Sequence, residues 1–384
     1  MKKILIVTGS RAEYGLLKPL IKELIKKELD LGLLVTGTHL EKKFGYSISE
    51  IEKDGFPIWD RIKINAKGLG PNSICKSLSL AIRKVSNFFE KISPDLIIVL
   101  GDRYELLAIC QVATVYKIPI AHIHGGEKTE GLIDESIRHS ITKMSHLHFA
   151  STDAYRKRII QMGEKPSSVF NVGALGVENI KKIKRYTKLE LENFYKIKFC
   201  KIIFLITYHP ATLSYKSPQK SINQILKVLS NFDNAFFIFS YPNADTFGNK
   251  IIKPIKIFKQ KNKKNCFIEK NIGLERYISL MNICDVVVGN SSSGIIEAPT
   301  LGIPTVNIGI RQKGRIKSTS IIDCNEDEIS IEKSIKKALS KSFKITAKKC
   351  LNPYYKINTS KIIADKIFQI NPKSLLLKSF YDLK

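Results

Sequence analysis

Two rhythms alternate along the chain. Short unbroken apolar runs have the length of strands buried on both faces, and between them apolar positions recur three and four apart, as on an amphipathic helix. In the first half the runs occupy residues 3–7, 31–36, 96–100, 118–123, 148–151 and 169–172. Helical periods fall at residues 16–28, 73–90 and 153–162, and two more open after Arg103 and at Asp134. Alternation of this kind predicts a parallel sheet with helices on both faces. Residues 41–72 follow neither rhythm; with breakers at Phe44-Gly45-Tyr46 and Gly68-Leu69-Gly70-Pro71 they read as an irregular, mobile loop over the strand ends.

Residues 180–199 are charged, carry a short helical pattern and lack a strand signal, which places a domain boundary there. A second series of runs follows at 201–207, 235–240, 266–268, 284–289 and 305–308, interleaved with helical patterns at 219–229, 274–281, 295–301 and 331–339. Helical patterns at 362–370 and 372–383 close the chain. The expected fold class is α/β, with two Rossmann-like doubly wound domains facing a cleft. Residues 1–180 form the first domain, 181–200 a linker, 201–360 the second domain, and 361–384 helices that cross back to the first.

Composition changes this picture little. A chain of 384 residues can bury two ordinary cores, and 43% hydrophobic content with a mean hydropathy of −0.07 describes a soluble globular protein. The formal charge of +28 invites a nucleic-acid partner, but the lysines are spread among Ile and Asn along the whole chain. No zinc-finger spacing, recognition-helix cluster or aromatic RNA-binding signature accompanies them, so a compositional bias explains the charge better. A basic surface still favours a small anionic substrate. The 7 cysteines are odd in number and lack CxxC spacing, as expected of reduced thiols in a cytoplasmic protein. The apolar run after Met1 is too brief for a signal peptide, and no run reaches the roughly 18–20 residues that span a bilayer. Neither a nucleic-acid nor a membrane partner is expected.

In an open parallel sheet, ligands bind beyond the carboxyl ends of the strands. Asp102, His124, Glu127, Asp134 and Glu135 all fall at or near such ends. Singly, Asp102 reads as a helix N-cap and Asp134 and Glu135 as first-turn acids favoured by the helix dipole. Neither explanation accounts for acids, histidines and glycine pairs recurring at successive strand ends, a pattern that suits proton transfer. The loop after the first strand is neither a P-loop nor GxGxxG, yet Arg11 there can reach a phosphate or a nucleobase. His209, before a proline at the end of a strand, divides evenly between a structural and a functional reading. Ser291, Ser292, Ser293 and Gly294 open a helix and suit a diphosphate cradle, with Glu297 one turn further along for ribose hydroxyls. A helix cap explains one of those serines but not three. Asn243 is a further candidate for nucleotide binding. His122 with His124, and His146 with His148, are spaced to share strand faces, but no third metal ligand stands at a familiar distance.

These residues lie in GSRAEYGLLKPLI (9–21), VLGDRYE (99–105), HIHGGEKT (122–129), DESIRHSITKMSHLH (134–148), GEKPSSVFNVGALG (163–176), YHPAT (208–212), NSSSGIIEAP (290–299) and NIGIRQKGR (307–315). In collinear order they are spread over most of the chain, from residue 9 to residue 315, and the chain resembles the hydrolysing UDP-N-acetylglucosamine 2-epimerases, especially their sialic-acid-pathway members. The resemblance implies a glycosyltransferase-B-type fold, a homodimer, a UDP-sugar substrate, and no metal or other cofactor. It implies anti elimination of UDP to a 2-acetamidoglucal, then hydration to N-acetylmannosamine. By resemblance, Asp102 is a catalytic carboxylate, Asp134 with Glu135 beside it an acid/base candidate, His209 an aid to the leaving diphosphate, and Arg311 an arginine of the chemistry. Arg11, Ser291, Ser292 and Glu297 match nucleotide-binding positions. One departure stands out: many relatives carry a catalytic Glu where this chain has His124, so either His124 or Glu127 takes that part. UDP- or GDP-linked N,N'-diacetylbacillosamine is the rival donor, and reversible epimerisation and glycosyl transfer are rival reactions.

Overall fold

The apolar runs become strands, and nearly all are covered on both faces. The computed structural model describes all residues except 43–44, 65–69, 214–216, 242–247, 270–271 and 384. Among the described residues, one parallel sheet contains β1 (Lys3–Thr8), β2 (Asp30–Thr36), β3 (Ile58–Ile62), β4 (Leu96–Leu100), β5 (Ile120–Ile123), β6 (Leu147–Ala150) and β7 (Val169–Asn171), in the order β3-β2-β1-β4-β5-β6-β7. A second contains β8 (Ile202–Thr207), β9 (Ala235–Ser240), β10 (Cys266–Glu269), β11 (Val286–Gly289), β12 (Thr305–Ile308) and β13 (Ile321–Cys324), in the order β10-β9-β8-β11-β12-β13. Each is doubly wound, with strand order reversing beside β1 and beside β8, and such switch points open crevices at the strand ends.

Alternation within the strands shows why they are apolar at every position. Ile4 and Ile6 enter one core with Leu17, Leu33 and Ile98, while Leu5 and Val7 enter the opposite one with Leu34, Ile97 and Val99. In the second sheet, Phe204 and Ile206 face one layer and Ile203 and Leu205 the other. A strand covered on both sides has no solvent face on which a polar residue would be cheap.

Contacts divide the chain into two compact units: residues 1–127, 133–179 and 356–384, and residues 128–132 with 180–355. The short excursion 128–132 is tied into the second unit, where Glu130 N–H donates to the Lys313 carbonyl at 3.0 Å and Leu213 N–H to the Gly131 carbonyl at 3.1 Å. The C-terminal helix Thr359–Gln369 belongs to the first unit, burying Ile363, Ala364 and Ile367 in the core that holds Leu17 and Leu24.

Three expectations need correction. Residues 41–72 are not wholly irregular: helix Ile48–Lys53 buries Ile48 and Ile51, and β3 pairs with β2. β3 is an edge strand with one neighbour and carries Asp60 and Arg61, so its pattern resembles a loop. The span 181–200 is not a bare linker, because helix Lys188–Tyr195 starts in a capping box between Thr187 and Glu190 and buries Leu191. Residues 372–383 contain only the short 3-10 turn Pro372–Leu375; beyond it Tyr381 N–H donates to the Gly163 carbonyl at 2.9 Å, and Lys378 Nζ reaches the Lys143 and Ser145 carbonyls, each at 2.6 Å. β13 and helices Gly248–Lys261 and Lys341–Lys348 were not anticipated. All 7 cysteines are free thiols, and no described helix is long and apolar enough to cross a membrane.

Candidate active site

In the first unit, β4 ends at Leu100 and the chain turns through Gly101 into Asp102. Asp102 is not a cap. The cap position of helix Tyr104–Val115 is Arg103, which makes no side-chain cap bond. The Asp102 carboxylate instead meets Arg138, a guanidinium only 1% exposed on helix Asp134–Met144. Arg138 Nε donates to Asp102 Oδ2 at 2.9 Å and Nη2 contacts the same oxygen. Its Nη1 donates to Glu135 Oε2 at 2.8 Å and to the Glu127 carbonyl at 2.9 Å. One buried arginine therefore gathers three segments by charge-assisted bonds, two of them ion pairs. Glu135 also meets His139 Nε2 at 3.1 Å, and Asp134, half-buried, starts the helix. Sequence reasoning did not single out Arg138, although its i,i+3 spacing from Glu135 was a usable signal.

At the end of β5, His124 adopts the left-handed backbone, φ 65°. The turn through Gly125 and Gly126 returns the chain so that Glu127 Oε1 lies 2.9 Å from His124 Nδ1 and accepts from Ser151 Oγ at 2.8 Å. Only glycine fits at 126, where φ is 71° and a Cβ would sit 2.6 Å from the Tyr155 carbonyl oxygen. The paired-histidine expectation fails: His124 lies beyond β5, and His146 precedes β6. His122 and His148 do sit side by side in register, but His122 bonds the Gly101 carbonyl at 2.7 Å and His148 bonds Glu164 at 3.0 Å. Among the described residues no three of His, Cys, Asp and Glu gather as metal ligands would.

Beside this cluster lies another that the sequence did not reveal. Glu13 Oε2 accepts the Gly9 N–H at 2.7 Å, and Arg103 Nε lies 2.5 Å from Glu105 and 3.6 Å from Glu13. Burial pushes the Glu13 carboxyl up to about 7, with Arg103 opposing and Glu105 adding to the rise. Arg11 opens the helix Arg11–Ile25 at the same loop.

Burial holds His39 down at about 4, His122 at about 3 and His146 at about 4. These folded-state values lie below the unfolded 6.5, so on acidification the unfolded chain takes up protons that the folded chain refuses. Stability should hold between pH 8 and 7 and fall as pH drops from 6.5 towards 4.5. Glu13 works the other way and offsets about one of the three histidines. The net loss approaches about 2–3 kcal/mol per pH unit. Urea midpoints followed by circular dichroism across this range check it, and a flat profile would contradict the buried-histidine account.

In the second unit, Asn290 organises the strand ends. Its Oδ1 accepts the His209 N–H at 2.7 Å and its Nδ2 donates to the His209 carbonyl at 2.8 Å. Arg311 Nη1 and Gln312 Nε2 both donate to the Asn290 carbonyl, at 3.0 and 2.9 Å. His209 and Arg311, 102 residues apart in the sequence, are thus held by one asparagine, which sequence reasoning passed over inside its serine motif. Gly289 before it has φ 133°, and a Cβ there would lie 2.0 Å from the Thr207 carbonyl oxygen.

Of the three serines, Ser291 is the ordinary cap of helix Ser292–Ile296, accepting from Ser293 N–H at 3.4 Å. Ser293 Oγ lies 2.6 Å from Tyr277 Oη and 3.0 Å from Ser291 Oγ, and Ser292 is half-buried. Gly294 has a packing reason, since a Cβ there would lie 2.8 Å from Thr305 Cγ2. The helix expected over 295–301 is instead this short turn followed by the 3-10 turn Ala298–Leu301, and Glu297 stands at their junction. Asn243 lies outside the described residues.

The sequence model of the family described as UDP-N-acetylglucosamine 2-epimerase matches residues 22–368. The chain is 43% identical, over 384 residues, to the GDP/UDP-N,N'-diacetylbacillosamine 2-epimerase (hydrolyzing) of Campylobacter jejuni, covering 100% of this chain and 99% of that one. It is 42% identical to the polysialic acid biosynthesis protein P7 of Escherichia coli, covering 100% and 98%. Its structure is similar to that of the Methanocaldococcus jannaschii UDP-GlcNAc 2-epimerase in complex with UDP-GlcNAc and UDP, with a TM-score of 0.77, 19% identity, and 96% and 99% of the two chains covered. At that identity the likeness speaks for the fold.

Proposed function

The chain belongs to the UDP-N-acetylglucosamine 2-epimerase family, and we propose on that ground that it hydrolyses a nucleotide-linked 2-acetamido sugar while inverting C2. The observation that carries the reading is Asp102, released from helix capping and fixed by Arg138 at the end of β4, with Asp134 and Glu135 nearby in sequence on the helix that supplies Arg138. A C2–H bond is weakly acidic, and its cleavage needs placed bases together with stabilisation of the departing diphosphate. Asp102 and Asp134 supply acid/base groups in this reading, with Glu135 orienting Arg138. His209 and Arg311 stabilise the leaving diphosphate, Arg11 and the Ser291–Ser293 stretch contact the nucleotide, and Glu297 accepts the ribose hydroxyls.

The donor named for the Campylobacter relative, UDP- or GDP-linked N,N'-diacetylbacillosamine, is the first to offer. UDP-N-acetylglucosamine is the second, supported by the description of the family whose model matches residues 22–368. Proton NMR in deuterated water tests both. A free 2-epimeric sugar deuterated at C2, with the nucleotide released, supports the reading and names the donor. A nucleotide-linked epimer would instead establish reversible epimerisation, and no reaction with any of these donors would overturn the proposal.

Glu297→Ala should weaken UDP binding by roughly tenfold or more, the worth of hydrogen bonds to a charged group. Calorimetric titration with UDP checks this, and an unchanged affinity would remove the ribose role.

A further inference from the structure

The His124–Glu127 pair deepens the epimerase reading and, as a catalytic pair, rests on it. His124 is 9% exposed and Glu127 2%. The ring's Nδ1 faces the Glu127 carboxylate at 2.9 Å, which makes Nδ1 the protonated nitrogen and leaves Nε2 with a lone pair. Nε2 is itself buried and has no hydrogen-bond partner. Buried polar atoms are ordinarily satisfied, so an aromatic nitrogen left bare at a strand end is a place where a proton is to arrive.

A purely structural histidine does not account for the arrangement. His39, just beyond β2, has both nitrogens occupied, by Thr8 at 3.0 Å and Ser47 at 2.8 Å. His148 also has one bare nitrogen, but it lies inside β6 and is fully buried, away from the strand ends. His124 is further held at φ 65°, a left-handed conformation that is strained for a non-glycine residue. The surroundings impose it: Gly126 packs against Tyr155, Arg158 Nη1 binds the Gly126 carbonyl, Arg138 binds the Glu127 carbonyl, and Ser151 holds the Glu127 carboxylate.

We propose that His124 is the base of the elimination, its Nε2 taking the C2 proton of the sugar, with Glu127 as the positioning residue that fixes the ring through Nδ1. The C2–H bond breaks and Nε2–H forms. The C2–H electron pair becomes the C1–C2 π bond, and the C1–O pair departs on the nucleoside diphosphate, so no oxidant or reductant is involved. The Glu127 carboxylate holds the ring through Nδ1, and Nε2–H gives its proton to solvent. Water then supplies the hydroxyl at C1 and the proton at C2, the latter delivered from the other face.

The test uses the whole protein and the donor that the wild type hydrolyses. His124→Asn is the apt variant, because asparagine tolerates the left-handed backbone and its amide can donate to Glu127. Nucleotide release should fall by about a hundredfold or more, the usual worth of a placed base, while UDP affinity stays within about twofold. Glu127→Gln should lower kcat by about tenfold or more while KM stays within about twofold, because a ring no longer fixed through Nδ1 fails in the chemical step and not in binding. A merely structural role would leave kcat of the folded variant in place. His124→Asn turnover within tenfold of wild type, or a Glu127→Gln kcat within twofold of wild type, overturns the assignment, and the second result decides even if the first variant fails to fold. Wild-type inactivity on every donor would instead strike at the epimerase reading, so the two failures are distinguishable.

Discussion

Asp102→Asn should reduce nucleotide release by about a hundredfold to ten-thousandfold while leaving UDP affinity within about twofold of wild type. Asparagine keeps the shape of the side chain and one oxygen for Arg138, so the fold has little reason to change. What disappears is the negative charge, fixed by two guanidinium nitrogens at the end of β4. A group that acts only on the reacting sugar affects kcat and leaves nucleotide binding alone. Steady-state assay of UDP release with parallel calorimetry separates the two quantities. Turnover near the wild-type rate would remove Asp102 from the chemistry and leave it as an anchor for Arg138.

Arg138→Met should lower the unfolding free energy by about 3 kcal/mol at neutral pH and abolish detectable turnover. Breaking a buried ion pair by removing one partner leaves an uncompensated charge, at a cost of about 3–5 kcal/mol. The lower end applies here, because Asp102 and Glu135 each keep 23% side-chain exposure and water screens part of the penalty. The Glu127 carbonyl loses its donor as well, so the strand-end loop should loosen along with the acids. Urea denaturation gives the stability change. In the double variant with Asp102→Asn the two losses should not add, since one substitution already removes the charge the other leaves stranded. A midpoint shift equivalent to less than about 1 kcal/mol would show that this arginine is no keystone.

The family resemblance carried by eight segments was legible in the amino-acid sequence alone, and the family match and close relatives bear it out. The donor was not legible there: the Campylobacter relative, 43% identical, is named for diacetylbacillosamine and not for UDP-N-acetylglucosamine. Strand-end acids were legible for a physical reason: parallel strands announce their carboxyl ends where an apolar run stops, and ligand chemistry collects there. Asp102 after β4 and His124 after β5 were found in this way.

What a residue faces was a different matter. Asp102 was expected to have a capping alternative, and only the packed chain turns it onto Arg138, 36 residues away. The Glu13, Arg103 and Glu105 cluster depends on β1 and β4 being sheet neighbours, and nothing local to either segment says so. Asn290 looked like the first letter of a serine motif, yet it is the residue that joins His209 to Arg311. Edge strands β3 and β13 were missed because charged residues, Asp60 with Arg61 in the one and Asp323 in the other, break the all-apolar pattern, as an edge permits.

The chain's own order of residues is enough to decide the α/β class, the apolar strands buried on both faces and the family, since each depends on periodicity or on contiguous motifs. Which charges meet, which nitrogen of His124 stays bare, and which guanidinium ties three segments together are settled by tertiary packing alone. Beyond the local His124–Glu127 and Glu135–Arg138 contacts, these pairings join side chains as far apart as Asp102 and Arg138 or Glu13 and Arg103, whose directions follow from sheet order and turn geometry rather than from their neighbours in the chain.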